Sequence, residues 1–192
     1  MSSNVFNEQG YVVVRNFIDA GSISIISKYF ENKINRGEWV PRDNATTSKF
    51  SYYADPLVEV FLDTSTQDVE KACGLELVPT YSYSRVYREG EELRPHLDRP
   101  ACEISVTVNV ASKGELSPIY VEYKDNQPKK YILGPGDAII YKGCEVLHWR
   151  RPLREGQLNV QFMLHFIDKN GPNVPGHIFD GRERIGMDSI VK

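Results

Sequence analysis

Glu103-Ile104-Ser105-Val106-Thr107-Val108-Asn109-Val110 alternates without a break. In an extended chain Ile104, Val106, Val108 and Val110 share one side, and Ser105, Thr107 and Asn109 share the other. The polar side either meets water on an open antiparallel sheet or lines the interior of a barrel or sandwich whose apolar side packs under helices. Leu158 to Phe166 poses the same choice, with Asn159, Gln161, Met163 and His165 set against Val160, Phe162, Leu164 and Phe166.

The residues just before the first of these strands favour an interior with a metal in it. In His96-Leu97-Asp98 an imidazole and a carboxylate two apart project to one side of an extended segment. A second imidazole is available at His148, at the end of a Gly-punctuated apolar segment. Two histidines and one carboxylate on one face of an octahedral ion leave three positions open, the arrangement of non-heme Fe(II) sites. Two His and an Asp with water also suit zinc. The other two of the four histidines carry plainer expectations: His165 as a hydrogen-bonded core residue and His177 on the surface of a Pro- and Gly-rich tail.

Outward from this centre the chain divides in two. Tyr11-Val12-Val13-Val14 is a short strand, and Ile23, Ile26, Tyr29, Phe30 and Ile34 form a helical stripe starting at Asp19. Pro41 to Tyr53 is polar and predicts a loop. Asp55-Pro56 supplies an N-cap and a first-turn proline for a helix that runs, with a break, to Gly74. From Val78 the pattern turns to strands: 81–87, 103–110, 119–123, 131–133, 138–141, 146–150 and 158–167. Gly134-Pro135-Gly136-Asp137 fits a type II turn. The expectation is one α+β domain over 1–192, with a strand and supporting helices in 1–77, a β core in 78–168 and a tail in 169–192.

Composition narrows the partners. With 192 residues, 41% of them hydrophobic, the chain can bury a sizeable core. A formal net charge of -3 carries no basic footprint for nucleic acid or an anionic membrane, which leaves a protein or peptide, or a small molecule, as the expected substrate. Cys73, Cys102 and Cys144 are odd in number and widely spaced, which fits a reducing, cytoplasmic setting rather than a disulfide framework. No secretory signal or membrane-spanning apolar run is expected.

The segment from Tyr81 to Asp168 resembles the catalytic core of the Fe(II)- and 2-oxoglutarate-dependent oxygenases, especially the prolyl-hydroxylase-like group. The resemblance rests on Tyr87-Arg88-Glu89-Gly90-Glu91-Glu92-Leu93-Arg94-Pro95-His96-Leu97-Asp98, the strand through Asn109, Gly134-Pro135-Gly136-Asp137-Ala138-Ile139-Ile140-Tyr141, and His148 followed by a strand from Leu158. It implies a double-stranded β-helix, a jelly-roll or cupin-like core, with the N-terminal helices packed on one sheet. It also implies Fe(II), 2-oxoglutarate and O2, and hydroxylation of a C–H bond of a proline-like protein residue or a small molecule, with succinate and CO2 as coproducts. His96, Asp98 and His148 then carry over as metal ligands, and Tyr87 as an aromatic hydroxyl beside the cosubstrate.

The chain departs from the family at one place. The cation that usually pairs with the distal carboxylate of 2-oxoglutarate would fall at Gln157 or Leu158. Strand parity points instead to Arg150, two residues beyond His148 and about 6 to 7 Å along the same face, with Asn109 and Gln161 as neutral donors. Arg154 and Arg85 are its rivals. Tyr81, Tyr83, Arg85 and Tyr87 are expected to face the cavity, with Arg85 on the substrate side, and Arg99 is expected to contact substrate or to pair with Glu103. The alternatives are a cupin-like metal-binding barrel without oxygenase activity and an oxidative demethylase of nucleic acid.

Overall fold

A computed structural model describes residues 2–38, 46–124 and 127–186. In chain order its elements are α1 (Ser2–Gln9), β1 (Tyr11–Val14), α2 (Ala20–Arg36), β2 (Phe50–Tyr53), α3 (Pro56–Thr64), α4 (Thr66–Cys73), β3 (Leu77–Arg88) and β4 (Leu93–His96). Then come β5 (Ile104–Lys113), β6 (Ile119–Glu122), β7 (Lys129–Tyr131), β8 (Ala138–Lys142), β9 (Leu147–Arg150), β10 (Leu158–Asp168) and α5 (Val174–His177). A short 3-10 turn lies at Pro100–Cys102, and the chain kinks within Ile178–Gly181, where Phe179 and Asp180 take positive φ.

The strands pair antiparallel into a six-stranded sheet, β1-β8-β5-β10-β3-β2, and a four-stranded sheet, β4-β9-β6-β7. From β3 onward the chain passes back and forth between the two, which is the connectivity of a double-stranded β-helix. The alternation of β5 and β10 resolves as an interior. Val106, Val108, Phe162 and Leu164 join Ile26, Phe30, Val58 and Leu62 of the helices in one buried apolar cluster. Ser105, Thr107, Gln161 and His165 turn the other way and are buried as well. A polar face that met water would be exposed. This one lies between the two sheets.

The helix signals hold where a side chain caps the backbone. Asp19 accepts from Ser22 N at 3.0 Å, and Asp55 Oδ1 accepts from Leu57 N at 3.0 Å, a contribution of about 1 kcal/mol each. The break expected before Gly74 falls at Ser65, between α3 and α4. Gly136 has φ +86 and Asp137 N donates to Gly134 O at 3.0 Å, the geometry of a type II turn.

Three expectations change. The loop predicted over 41–53 lies outside the described residues at 41–45, and its end is a strand: β2 pairs with β3, Tyr53 opposite Tyr83. β4 was not expected because Pro95 lies in it. A proline is tolerated at the edge of a sheet, and β4 is the edge strand of the smaller sheet, paired with β9 and bridged at Leu93 by Thr46. The tail, outside the described residues at 187–192, docks on the core. Arg182 and Glu59, both buried, pair at 2.8 Å, and Arg182 Nη2 also donates to Thr80 O. Among the described residues no helix is long and apolar enough to cross a membrane.

Candidate active site

His96 ends β4 and stands opposite His148 of β9 in the register of the smaller sheet. Their rings approach to 4.2 Å between centroids. Each Nδ1 lies against a backbone carbonyl two residues earlier, His96 on Arg94 O at 2.9 Å and His148 on Val146 O at 3.0 Å. Only a protonated Nδ1 makes that contact, so in both neutral rings Nε2 presents a lone pair. These atoms lie 3.5 and 3.6 Å from the same oxygen, Oδ1 of Asp98. The other oxygen, Oδ2, accepts from the Ser105 hydroxyl at 2.7 Å. One ligand atom from each of His96, Asp98 and His148 thus falls within 4.8 Å of the others, a donor set that fits a divalent ion. Carbonyl contacts that fix ligand tautomers are a usual accompaniment of such sites.

The backbone closes behind the carboxylate. Asp98 N donates to Gly143 O at 2.9 Å, and Gly143 N donates to Glu103 O at 2.8 Å. A Cβ at Gly143 would run into Cys102 O and stand 2.6 Å from Asp98 Oδ2. Only glycine leaves room for the carboxylate there.

Charge is arranged to suit a cation. Burial pushes the Asp98 carboxyl up, but the His96 contact, the two further imidazoles His148 and His165, and the Ser105 hydroxyl hold it down at about 2. Burial lowers His148 against the pull of Asp98. His96 is also pushed down by burial, yet the Asp98 and Arg94 carbonyl contacts outweigh that and leave it raised.

The three side chains open into a cavity of about 530 Å³, within the range usual for small-molecule sites. The odd positions of β3 face it as expected, through Tyr81, Tyr83 and Arg85, while Ser82 and Ser84 are buried on the opposite side. Gln161, Met163 and His165 of β10 complete the far wall. The Tyr83 hydroxyl is buried there without a hydrogen-bond partner among the described residues.

Arg150 shares the buried face of β9 with His148 and is 1% exposed. Its Nε donates to Gln161 Oε1 at 3.0 Å and its Nη1 to Ser117 O at 2.8 Å. No carboxylate among the described residues pairs with it, and burial pulls its pKa down to about 10. A buried cation held only by neutral acceptors is costly, and a ligand carboxylate is the partner that would offset the cost. Gln161 stands between Arg150 and the cavity.

The other expected residues are placed differently. Tyr87 is fully buried beside Leu93 and Leu153 and does not line the cavity; its hydroxyl accepts from Arg85 Nη1 at 3.1 Å. Asn109 is also behind the wall, with Nδ2 donating to Leu133 O at 2.8 Å and Oδ1 accepting from Asn159 at 2.9 Å. Its amide is committed to the fold. Arg99 lines the cavity but does not pair with Glu103. It makes a two-pronged contact with Asp180, 2.8 Å on each side, and Tyr53 donates to the same carboxylate at 2.7 Å. Arg154 points into solvent, 3.2 Å from Glu115. Asp180 was missed because nothing in a Pro- and Gly-rich tail marks it as a wall of the site. His165 is a hydrogen-bonded buried residue as expected, and it lines the cavity too.

No protein-family model matches the chain, and no curated protein matches it in sequence. Solved structures do match in shape. A prolyl-4-hydroxylase from Pseudomonas putida superimposes with a TM-score of 0.72 at 14% identity, covering 88% of this chain and 98% of that one. A prolyl hydroxylase from Trichoplax adhaerens, in complex with a hypoxia inducible factor oxygen degradation domain peptide fragment, gives 0.71 at 12% identity, with 88% of each chain covered. The epimerase SnoN of nogalamycin biosynthesis, alpha-ketoglutarate dependent and non-heme, gives 0.71 at 14% identity over 86% of this chain and 79% of its own. The fold is that of the Fe(II)- and 2-oxoglutarate-dependent oxygenases, a double-stranded β-helix with helices on the larger sheet.

Proposed function

We propose that this protein is an Fe(II)- and 2-oxoglutarate-dependent dioxygenase that hydroxylates a C–H bond of a proline-like protein residue or a small molecule. The observation that carries the reading is the convergence of His96 Nε2 and His148 Nε2 on one oxygen of Asp98, with both Nδ1 atoms turned away onto backbone carbonyls. That set would hold the iron on one face and leave the other open. Iron with 2-oxoglutarate and O2 would supply the oxidising chemistry, with succinate and CO2 as coproducts. Arg150, steadied by Gln161, would take the distal carboxylate of the cosubstrate. Tyr81, Tyr83, Arg85 and Arg99 would then shape the substrate end, and Tyr87 would act through its contact with Arg85.

The fold of the neighbours supports the reaction class, and their range, from prolyl hydroxylase to epimerase, keeps both peptide and small-molecule substrates in view. A nucleic-acid substrate is disfavoured by the net charge of -3 and by the tie of Arg99 to Asp180 at the cavity wall. The discriminating experiment is thermal unfolding with Mn(II), with 2-oxoglutarate, and with both. A ligand that binds the native state must raise Tm. A cooperative rise with both together is expected; a rise with metal alone and none on adding 2-oxoglutarate would point to the cupin-like metal barrel instead.

A further inference from the structure

The hydrogen bonds on the far oxygen of Asp98 continue into the larger sheet. Ser105 Oγ lies 2.7 Å from Asp98 Oδ2, 3.0 Å from His165 Nδ1 and 3.2 Å from Cys102 O. A hydroxyl has one proton to give, and an ionised carboxylate can only accept. The proton therefore goes to Oδ2, the shortest of the three contacts and the charged one. The Ser105 oxygen is left to accept, and the partner with an N–H to offer is Nδ1 of His165.

We propose that Ser105 and His165 form a positioning relay, His165 Nδ1–H to Ser105 Oγ–H to Asp98 Oδ2, which holds Asp98 as a one-oxygen metal ligand. The inference rests on the metal-site reading above and deepens it. A carboxylate on an unconstrained bond can turn and offer both oxygens to an ion. That would fill one of the positions a two-histidine, one-carboxylate site must keep open for cosubstrate and oxygen. With Oδ2 engaged by Ser105 and packed against Gly143, only Oδ1 is left facing the imidazoles.

The relay is built on rigid elements. Ser105 and His165 stand opposite one another in the pairing of β5 with β10. Ser105 is fully buried and His165 is 5% exposed. The Tyr81 ring lies 4.6 Å from the imidazole and fixes its plane. Burial keeps His165 neutral down to about pH 4, so it carries a single N–H, whose place Ser105 sets. Asp98, Cys102 and His165 also form a second group close enough to hold an ion. The relay is the better assignment, because Cys102 Sγ already meets the Tyr81 hydroxyl at 3.0 Å and His165 Nδ1 already faces Ser105.

The test is titration of the intact protein with Co(II), read by visible absorption and by competition with a chelator, without turnover. Ser105→Ala is expected to weaken Co(II) binding about 10- to 100-fold, as loss of such outer partners does, and to lower the intensity of the visible bands as coordination number rises. His165→Leu is expected to weaken it in the same direction, and His165→Asn, which keeps an N–H near the place of Nδ1, to recover most of the loss. Those three results together support the relay. If Ser105→Ala fails to fold, the Leu and Asn pair at 165 decides alone. Wild-type affinity and spectrum in Ser105→Ala, or equal loss in His165→Leu and His165→Asn, would overturn it. So would a thiolate-to-cobalt band that disappears in Cys102→Ala, since the ion would then sit in the second group. Asp98→Ala separates the two levels: normal Co(II) binding there removes the metal-site reading itself, whereas loss there with none in Ser105→Ala removes only the relay.

Discussion

Arg150 Nε stands 3.0 Å from Oε1 of Gln161, a buried hydrogen bond that ties the last residue of β9 in the smaller sheet to β10 in the larger one. Gln161 lines the cavity and Arg150 lies immediately behind it. Arginine's planar fork can keep this bond on one edge and meet a carboxylate on another. Arg150→Ala is therefore expected to raise the dissociation constant of 2-oxoglutarate by about two orders of magnitude, on the order of 3 kcal/mol for a charged partner left unpaired. Arg154→Ala, in solvent, is expected to leave it unchanged. Calorimetric titration in the presence of Mn(II) checks both, and an effect at Arg154 without one at Arg150 would move the anchor.

Gly143 sits where a Cβ would stand 2.6 Å from Asp98 Oδ2. The neighbours are a ligand carboxylate and a backbone carbonyl, neither of which is a flexible chain end. Gly143→Ala is expected to cost about 1 to 3 kcal/mol of stability through overpacking and to weaken metal binding at least tenfold. Urea unfolding and metal titration read the two effects separately. Unchanged metal affinity would show that Asp98 can shift without consequence.

Metal affinity should depend on pH through His96 rather than His148. A ligand imidazole must be neutral. Burial keeps His148 below the ordinary histidine value, whereas His96, despite burial, is raised by Asp98 and the Arg94 carbonyl. As pH falls from above the His96 value, a proton therefore competes with the metal there first. Affinity is expected to drop tenfold per pH unit just below that value and to be flat above it. Titrations across this range, with proton uptake followed in weak buffer, check the slope; a flat profile through pH 6 would contradict the assignment.

His165 links acid to stability of the metal-free protein. Its folded value is near 4 against 6.5 for the free imidazole, because burial disfavours the charged ring. The unfolded chain thus binds more protons between those values. The contribution is full above pH 6.5 and is lost as pH falls towards 4, about 3 kcal/mol in all. His148 acts in the same direction, and the raised His96 opposes it. His165→Asn is expected to lose that much less stability than wild type between pH 7 and pH 4. Denaturant midpoints at the two pH values test this.

How much was legible varied with what a residue's position depends on. The division of β5 and β10 into an apolar and a polar face follows from alternation alone, though not that the polar face is an interior, and Asp19, Asp55 and Gly136 announce their roles through capping and turn chemistry. The pairing of His96 with His148 depends on register between strands far apart in the chain, so residue types suggested the trio but could not place it. Parity does place Arg150 on the buried face of β9 beside His148. Tyr87 and Asn109 have the right parity too, yet side-chain partners behind the wall, Arg85 for one and Leu133 with Asn159 for the other, hold them out of the cavity. Asp180 reaches the site from a tail that Arg182 anchors on Glu59 and that Arg99 and Tyr53 hold at the wall, contacts that no local pattern encodes.

The most direct measurement is the release of succinate from 2-oxoglutarate by the purified protein, with and without Fe(II), beside Asp98→Ala. The account predicts slow succinate formation that requires Fe(II) and O2 even without substrate, rises when a substrate is supplied, and is absent in Asp98→Ala. No succinate above the protein-free control from an Fe(II)-loaded protein, or equal amounts from Asp98→Ala and wild type, would contradict it.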